Sequence, residues 1–325
     1  MRHALALVLL MTSPASAQVT DCDRLAGIPG IPRIDGAPGV YAVTDPGAAA
    51  ACERAMAAQP GDAFFAVLLA RALVAADPDD RRAVSVLADQ VQRLPALVAG
   101  ALGQLYEYGQ GGLSASERSA RDFYRLSCDY WPSNQAAPGC TGYAVMMIEG
   151  RGGPVNERGG FNLLDNLCRG GWGDACTQQA FQTDLRGDGD DAQIAALFEA
   201  ACTGGDLLGC SQFGFRLELG QGVGLDVSRA ADLYRRACDG GEPQGCSYLG
   251  EIYRSGLGAR PDMAEALRLF DLGCAGNDPY ACVTLGDILS EGRGIPRDVP
   301  RALIVLDRAC TLGDPEACDM ADALR

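Results

Sequence analysis

Residues 201–246 read ACTGGDLLGCSQFGFRLELGQGVGLDVSRAADLYRRACDGGEPQGC and contain one arrangement twice. Each copy includes a pair of cysteines eight residues apart, and the pair at Cys238 starts 36 residues after the pair at Cys202. Six cysteine pairs follow one another along the chain. The first pair is more widely spaced, and the last four pairs start 36 residues apart. The pairs are Cys128 with Cys140, Cys168 with Cys176, Cys202 with Cys210, Cys238 with Cys246, Cys274 with Cys282, and Cys310 with Cys318. A fixed period of this length is typical of stacked, repeated supersecondary units.

Each repeat has the pattern of two helices. An apolar residue and a small residue follow the second cysteine, and another apolar residue comes four positions after the first, as in Phe213, Gly214 and Leu217. This spacing places the apolar residues on one stripe of an amphipathic helix, called helix A below. Because glycine is unfavourable inside a helix, its recurrence here predicts a close approach between helices. A Gly-x-Gly turn such as Gly220 to Gly222 ends helix A, and a second amphipathic helix, helix B, leads to the next cysteine pair.

The fourteen cysteines are expected to form disulfides. Zinc sites favour more closely spaced cysteines completed by histidine or further cysteine, and the only histidine of the chain is His3. Antiparallel helices with short loops bring the end of helix B close to the start of the next helix A, within the reach of a disulfide. We therefore expect each pair to clamp one helical hairpin to the next, and we expect no metal and no cofactor.

The first residues have the pattern of an export signal. A positive start at Arg2 and His3 precedes an apolar run over residues 4–11 and a small-residue site over residues 15–17, which predicts cleavage after Ala17. An uncleaved membrane anchor is the alternative, but a run shorter than about 20 residues does not span a bilayer, so no stable membrane insertion is expected. Since disulfides persist in oxidising compartments, we expect a periplasmic or secreted protein.

Charge and composition exclude several classes of function. A formal net charge of −15 repels phosphate backbones and argues against nucleic acid as a partner. The chain contains no lysine, and its one histidine lies in the predicted signal. The mature chain therefore cannot form a Ser-His-Asp triad, a Cys-His pair, a Ser-x-x-Lys nucleophile or a lysine Schiff base. We expect no catalytic residues.

The junction between repeats carries a family resemblance. It has the form Ala-Cys-x-x-Gly-Asp-x-x-x-Cys over residues 201–210, and Leu249-Gly250 and the Gly-x-Gly turns accompany it. This combination resembles the Sel1-like repeat, a relative of the tetratricopeptide repeat, in the disulfide-rich form of the Helicobacter cysteine-rich proteins. The resemblance covers residues 96–318 and implies an all-α solenoid of αα-hairpins, a right-handed superhelix of six Sel1-like repeats.

The segments outside the repeats are expected to close the ends of the solenoid, whose terminal apolar faces need caps. Residues 1–17 are the predicted signal peptide. Residues 18–95 are predicted to form an extended arm and then degenerate tetratricopeptide-like helices near 47–58, 62–76 and 79–93. Residues 319–325 are predicted to form a C-terminal capping stub. Cys22 and Cys52 are left over from the repeats, and we expect them to pair.

A curved stack of helix pairs presents a concave groove that generally binds peptides or protein segments. Five residues on helix A lie off the apolar stripe and are predicted to line this groove, with ordinary solvated positions as the alternative: Gln212, Arg216, Tyr248, Arg254 and Asp287. Trp131 and Trp172 lie in the loops between paired cysteines. They are predicted either to form an aromatic binding patch or to cover the hairpins beneath them.

These observations predict an exported scaffold that binds a protein or peptide in its groove, such as a periplasmic regulator or adaptor. The outer domain of a membrane sensor and a cell-wall peptide are the partners considered. The alternative is penicillin binding or weak β-lactamase activity, which has been assigned to proteins that the chain resembles. No residue of this sequence matches a catalytic motif for that reaction.

Overall fold

The computed structural model describes residues 19–28, 43, 45–187 and 189–325. The predicted signal peptide and most of the predicted arm lie outside these residues. The helices of the described residues are Asp21–Ala26 (α1), Ala48–Ala58 (α2), Phe64–Ala76 (α3), Arg82–Ala88 (α4), Pro95–Tyr108 (α5), Glu117–Cys128 (α6), Ala137–Glu149 (α7), Glu157–Arg169 (α8), Gly173–Arg186 (α9), Asp191–Thr203 (α10), Leu207–Leu219 (α11), Val227–Asp239 (α12), Pro243–Ser255 (α13), Met263–Ala275 (α14), Pro279–Glu291 (α15), Val299–Thr311 (α16) and Pro315–Leu324 (α17). Within this part of the chain, no helix combines the length and the apolar character needed to span a bilayer.

Helices α5 to α16 form six consecutive αα-hairpins, and α17 follows the last of them. Each helix contacts its neighbours in sequence, and each helix A also contacts the next helix A, from α5 with α7 to α13 with α15. The helices B of the described residues make no comparable contacts with one another. The layer of helices A is therefore the tighter one and lies on the inner side of the curve. The predicted all-α solenoid is confirmed.

Glycines on helix A allow the two helices of a hairpin to pack closely. A Cβ added at Gly214 would lie 2.7 Å from the ring of Tyr234 on helix B, and one added at Gly250 would lie 3.0 Å from the ring of Phe270. Both rings are fully buried. The close helix approach predicted from the recurring glycine is confirmed, because a large buried side chain on helix B occupies the space that a side chain would need.

The Gly-x-Gly turns serve two purposes. The first glycine ends helix A in the left-handed region, with φ 67° at Gly220, which few other residues adopt without strain. The second glycine packs on the hairpin before it. A Cβ added at Gly222, whose φ is 70°, would lie 2.0 Å from the carbonyl oxygen of Asp191 at the start of α10. The turn of one hairpin therefore rests directly on the backbone of the preceding one.

Replacing Gly222 with alanine should separate these two hairpins. We expect Gly222→Ala to destabilise the protein by about 2 kcal/mol or more, since a left-handed backbone and a backbone clash act together. Gly205→Ala is the matched control, because Gly205 has φ 87° and an added Cβ there meets no described atom within 4 Å. Thermal melts followed by circular dichroism would measure both variants. Equal losses for the two would contradict the proposed packing.

Seven disulfides cross-link the chain, and the structure joins the cysteines in the predicted order. Six of them connect the end of a helix B to the start of the following helix A, and their Cα atoms lie 4.3 to 4.8 Å apart. Each junction between hairpins is therefore closed covalently at the edge opposite the Gly-x-Gly turns. The six bridges join Cys128 to Cys140, Cys168 to Cys176, Cys202 to Cys210, Cys238 to Cys246, Cys274 to Cys282, and Cys310 to Cys318.

The second cysteine of five of these six bridges lies deep in the junction, and that of the last bridge, Cys318, is partly exposed. Cys176, Cys210, Cys246 and Cys282 belong to the first turn of helices α9, α11, α13 and α15, and all four are buried. The bridges are therefore part of the core between hairpins. The cysteines named for the repeats serve the structure of the solenoid and do not line its groove.

The N-terminal helices cover the first hairpin. Helices α2, α3 and α4 lie close to the three predicted positions, and their buried side chains form one core with Leu97 and Leu105 of α5. The predicted extended arm is wrong over residues 21–26, which form α1. Thr20 and Asp23 stabilise this helix with a reciprocal capping box. The disulfide between Cys22 and Cys52 fastens α1 to α2.

Candidate binding groove

The centre of the inner surface is formed by aromatic and amide side chains on α11 and α13. The amide of Gln212 donates a hydrogen bond of 3.0 Å to the side-chain oxygen of Gln244. The rings of Phe215 and Tyr248 stack with centroids 5.7 Å apart. All four side chains are partly exposed, whereas Phe213 and the other core residues of α11 are buried. These four residues are called the central groove cluster below.

Two of the four residues of the central groove cluster are among those that the sequence predicts to line the groove. Gln212 and Tyr248 were predicted to line the groove, and they occupy the same position of α11 and α13, two residues after the second cysteine. Phe215 and Gln244 were not predicted. The signal for Phe215 was available, because it is a large aromatic residue two positions after the buried Phe213 and thus off the core stripe. Gln244 can be assigned to the groove only from its contact with Gln212 across the junction.

Tyr248 is held as a neutral phenol. Its ring also packs on the buried ring of Tyr234, with centroids 5.1 Å apart. Burial raises the pKa of Tyr248 to about 12, and the nearby carboxyl groups of Asp278 and Glu242 add to this effect. Over the whole physiological range the hydroxyl can therefore donate a hydrogen bond to a ligand.

Arg216 lies inside the solenoid rather than on the groove surface. It is 9% exposed, and its guanidinium forms ion pairs with Asp184 at 2.9 Å and with Asp191 at 3.4 Å. The guanidinium also lies 5.8 Å from the ring centroid of Phe198. The expectation that Arg216 projects into the groove is wrong, because carboxylates of the preceding hairpin enclose it.

The remaining predicted groove residues pair with neighbours on the inner surface. Arg254 forms an ion pair of 2.6 Å with Glu251, and Glu251 in turn accepts a hydrogen bond of 3.1 Å from the hydroxyl of Tyr280. Asp287 pairs with Arg293 at 3.0 Å. Arg254 is exposed, and Asp287 is partly exposed. The groove therefore changes from aromatic and amide groups at its centre to paired charges towards the C-terminus.

Trp131 and Trp172 are half-buried packing residues at the disulfide edge. Trp131 packs on the core that Leu164 and Leu167 of α8 form with α7. Trp172 packs on the same core and on the core of the N-terminal helices. The structure thus places both rings over hairpins, and it does not bring either of them into contact with the central groove cluster.

A row of acids, buried or partly buried, joins consecutive helices A. The side chains of Thr177, Ser211 and Ser247 donate hydrogen bonds to an acid that caps the next helix A: Asp206, Glu242 and Asp278, respectively. Burial raises the pKa of each of these three carboxyl groups, while the hydroxyl and backbone donors oppose this effect. These contacts fix the register between the helices that present the groove.

Asp174, at the first junction of this row, gives a pH dependence that can be tested. Burial raises its pKa to about 6, and the charge of Asp206 contributes. The pKa of an aspartate in the unfolded chain is near 4. Between this pH and about pH 6 the folded chain therefore binds more protons than the unfolded chain, so stability falls as pH rises through this window. We expect Asp174→Asn to melt a few degrees higher than the native protein at pH 7.5 and to lose this advantage by pH 4. Melting curves of the exposed control Asp129→Asn should follow the native protein at both pH values, and a native-like pH dependence of Asp174→Asn would contradict the expectation.

Comparisons with known proteins agree with this architecture. The Sel1 repeat family model matches residues 99–129, 208–242, 243–278 and 279–314. The chain therefore carries Sel1 repeats, as the sequence resemblance predicted. No curated protein matches the chain significantly.

Several solved structures of repeat proteins are similar to the chain. A Sel1 repeat protein from Oxalobacter formigenes is 22% identical with a TM-score of 0.58, and the match covers 73% of this chain and 96% of that one. A protective antigen of uropathogenic Escherichia coli displaying an SLR fold is 20% identical with a TM-score of 0.51, over 84% of this chain and 59% of that one. Cysteine-rich protein B of Helicobacter pylori is 22% identical with a TM-score of 0.31, over 44% of this chain and 96% of that one. At these identities the first two similarities establish the fold alone.

Proposed function

We propose that the protein is an exported scaffold that binds an extended segment of a partner protein along its helices A. The observation that carries this proposal is the central groove cluster, in which aromatic and amide groups from two repeats form one partly exposed surface. Tyrosine and phenylalanine supply large contact areas in binding sites. The unused donors and acceptors of Gln212 and Gln244 can bond the backbone of an extended peptide, which presents both kinds of group.

An oxidising compartment, reached by export, suits this chain. Seven disulfides and no free cysteine among the described residues fit an oxidising environment, where such links persist. In this proposal the partner is a protein of the envelope or the medium, such as the outer domain of a membrane sensor or a cell-wall peptide, and the scaffold acts as a regulator or adaptor. The N-terminal helices and α17 act as the caps of the solenoid.

Selection from a displayed peptide library would test the proposal on the oxidised protein. We expect selected peptides to bind the native chain and to bind the double variant Phe215→Ala/Tyr248→Ala at least tenfold more weakly. The control replaces two exposed apolar residues on helices B, Leu272→Ala/Ile304→Ala, and should leave binding unchanged. Circular dichroism melts would establish that both double variants are folded. Equal peptide affinity for the native chain and the groove variant would overturn the proposal.

A further inference from the structure

The position that Phe215 holds on α11 carries an acid on each of the next two helices A. Phe215 lies five residues after the second cysteine of the bridge at the start of its helix, and Glu251 of α13 and Asp287 of α15 have the same offset. All three side chains are partly exposed. Because equivalent positions of stacked repeats face the same side, the inner surface changes from aromatic to acidic along this line.

The same change recurs about one helical turn further along each helix A. Leu219 lies nine residues after its cysteine and is 48% exposed. Ser255 of α13 and Glu291 of α15 have this offset and are exposed. The groove therefore has an apolar part on α11 and an acidic part beyond it. The acidic part is formed by Glu251, Asp287 and Glu291.

The acidic part has more carboxylates than cations that contact them. Among the described residues, Glu251 pairs with Arg254, whereas Asp287 and Glu291 share Arg293. Two guanidinium groups therefore serve three carboxylates. A further cation, supplied by a partner, would complement the charge of this surface.

Two tyrosine rings border the acidic part. Tyr280 is 48% exposed, and its hydroxyl donates a hydrogen bond of 3.1 Å to Glu251. Tyr248 lies three residues before Glu251, on the same side of α13. The charges of Asp278 and Glu242 also act here, because both raise the pKa of Tyr248. Carboxylates beside tyrosine rings favour a lysine or arginine side chain through ion pairs and cation–π contacts.

Arg254 shows that this place accepts a guanidinium group. Its side chain is exposed and forms an ion pair of 2.6 Å with Glu251. Exposed ion pairs of this kind are weak. A cation of a bound segment can therefore share Glu251 with Arg254 or displace it.

The stacking of the repeats sets the spacing along a bound segment. The axes of neighbouring helices lie about 8–10 Å apart, and an extended chain advances about 3.3 Å per residue. A partner segment thus passes one repeat in about three residues. A side chain that packs on Phe215 and Tyr248 is therefore about three residues away from one that lies between Glu251 and Asp287.

We propose that the groove binds segments in which an apolar residue and a lysine or arginine are about three residues apart. The apolar side chain packs on Phe215, Leu219 and Tyr248, and the cation lies between Glu251 and Asp287. This inference rests on the proposed function and adds the charge of the partner. A carboxylate in place of the cation meets like charges and is rejected.

Three heptapeptides test the inference in titrations followed by saturation-transfer NMR. Acetyl-Arg-Ser-Gly-Phe-Gly-Ser-Arg amide has an arginine three residues to either side of its phenylalanine, so either chain direction brings one arginine to the acidic part. The other two probes carry glutamine or glutamate in place of both arginines. We expect the native protein to bind the arginine probe at least tenfold more tightly than the glutamate probe, with the glutamine probe between them. Equal affinities for all three would overturn the inference.

Substitutions separate the local charge from the net charge of the protein. Glu251→Gln/Asp287→Asn should remove most of the preference for arginine. The matched control Asp232→Asn/Asp271→Asn removes the same charge from acids that pair with arginines on helices B, and it should keep the preference. Arg254→Gln removes the competing cation and should tighten binding of the arginine probe at least threefold. A preference that persists unchanged in Glu251→Gln/Asp287→Asn, shown to be folded by circular dichroism, would contradict the inference.

Selected peptides separate failure of this inference from failure of the proposed function. Peptides selected on the native protein should carry a lysine or arginine about three residues from an apolar residue. Selected peptides that have no cation, yet lose affinity on Phe215→Ala/Tyr248→Ala, would overturn the charge preference and leave groove binding intact. Selected peptides that bind this variant as tightly as the native chain would overturn both proposals.

Discussion

Reduction of the seven disulfides is expected to leave the protein unfolded at physiological temperature or to lower the midpoint of its thermal melt by tens of degrees. In the chain-entropy model, a bridge that closes a loop of nine residues stabilises by about 2–3 kcal/mol. Five of the seven bridges close loops of this size, with a sequence separation of 8. Together they rival the net stability of an ordinary domain, which is about 5–15 kcal/mol.

The experiment compares circular dichroism melts with and without a phosphine reductant. The matched control is treatment with iodoacetamide alone, which should change nothing because the described chain has no free cysteine. A graded control is the double variant that combines Cys202→Ser with Cys210→Ser, which removes one junction and should lower the melting temperature by a smaller amount. A reduced protein that melts at the temperature of the oxidised one would show that the bridges are not structural.

Removing Tyr234 should cause the largest loss of stability among single substitutions close to the groove. Its side chain is fully buried, fills the space left by Gly214, and donates a hydrogen bond of 2.7 Å from its hydroxyl to Glu218. Truncation of a buried aromatic residue typically costs about 3–5 kcal/mol, through lost burial and the cavity that remains. Because Tyr248 packs on Tyr234, Tyr234→Ala should also weaken peptide binding beyond what the unfolded fraction explains.

Two further variants separate the contributions to this loss. Tyr234→Phe keeps the ring and removes one hydrogen bond, which should cost about 1.5 kcal/mol or less, since Glu218 is partly exposed and can be rehydrated. Tyr130→Ala, at a 45% exposed position, should be near neutral. Denaturant unfolding followed by fluorescence measures all three. A loss below about 1 kcal/mol for Tyr234→Ala would contradict the packing described for this hairpin.

The sequence was sufficient to predict the scaffold because covalent and backbone constraints repeat in it. The cysteine period located the junctions, and Gly214 and its equivalents located the close helix contacts. Both signals depend on one residue type at one position, so they can be read without knowing the neighbours. The sequence does not predict the first helix, although Thr20 and Asp23 have the spacing of a capping box, because the glycines and prolines that follow this helix favour an extended arm.

The candidate site could be predicted only in part, since it depends on which residues meet across a junction. Arg216 looked like a groove residue on its own helix, but Asp184 and Asp191 come from the hairpin before it and draw it inside. Gln244 acquires a role through Gln212, a contact that joins two repeats.

Hydrogen–deuterium exchange with a selected peptide would test the central claim most directly, because it reports which face of the solenoid the peptide covers. The account predicts that bound peptide slows exchange on helices α11 and α13, while helices α12, α14 and α16 exchange as in the free protein. Protection confined to these helices B, or to the turns between the two helices of each hairpin, would contradict binding on the inner surface.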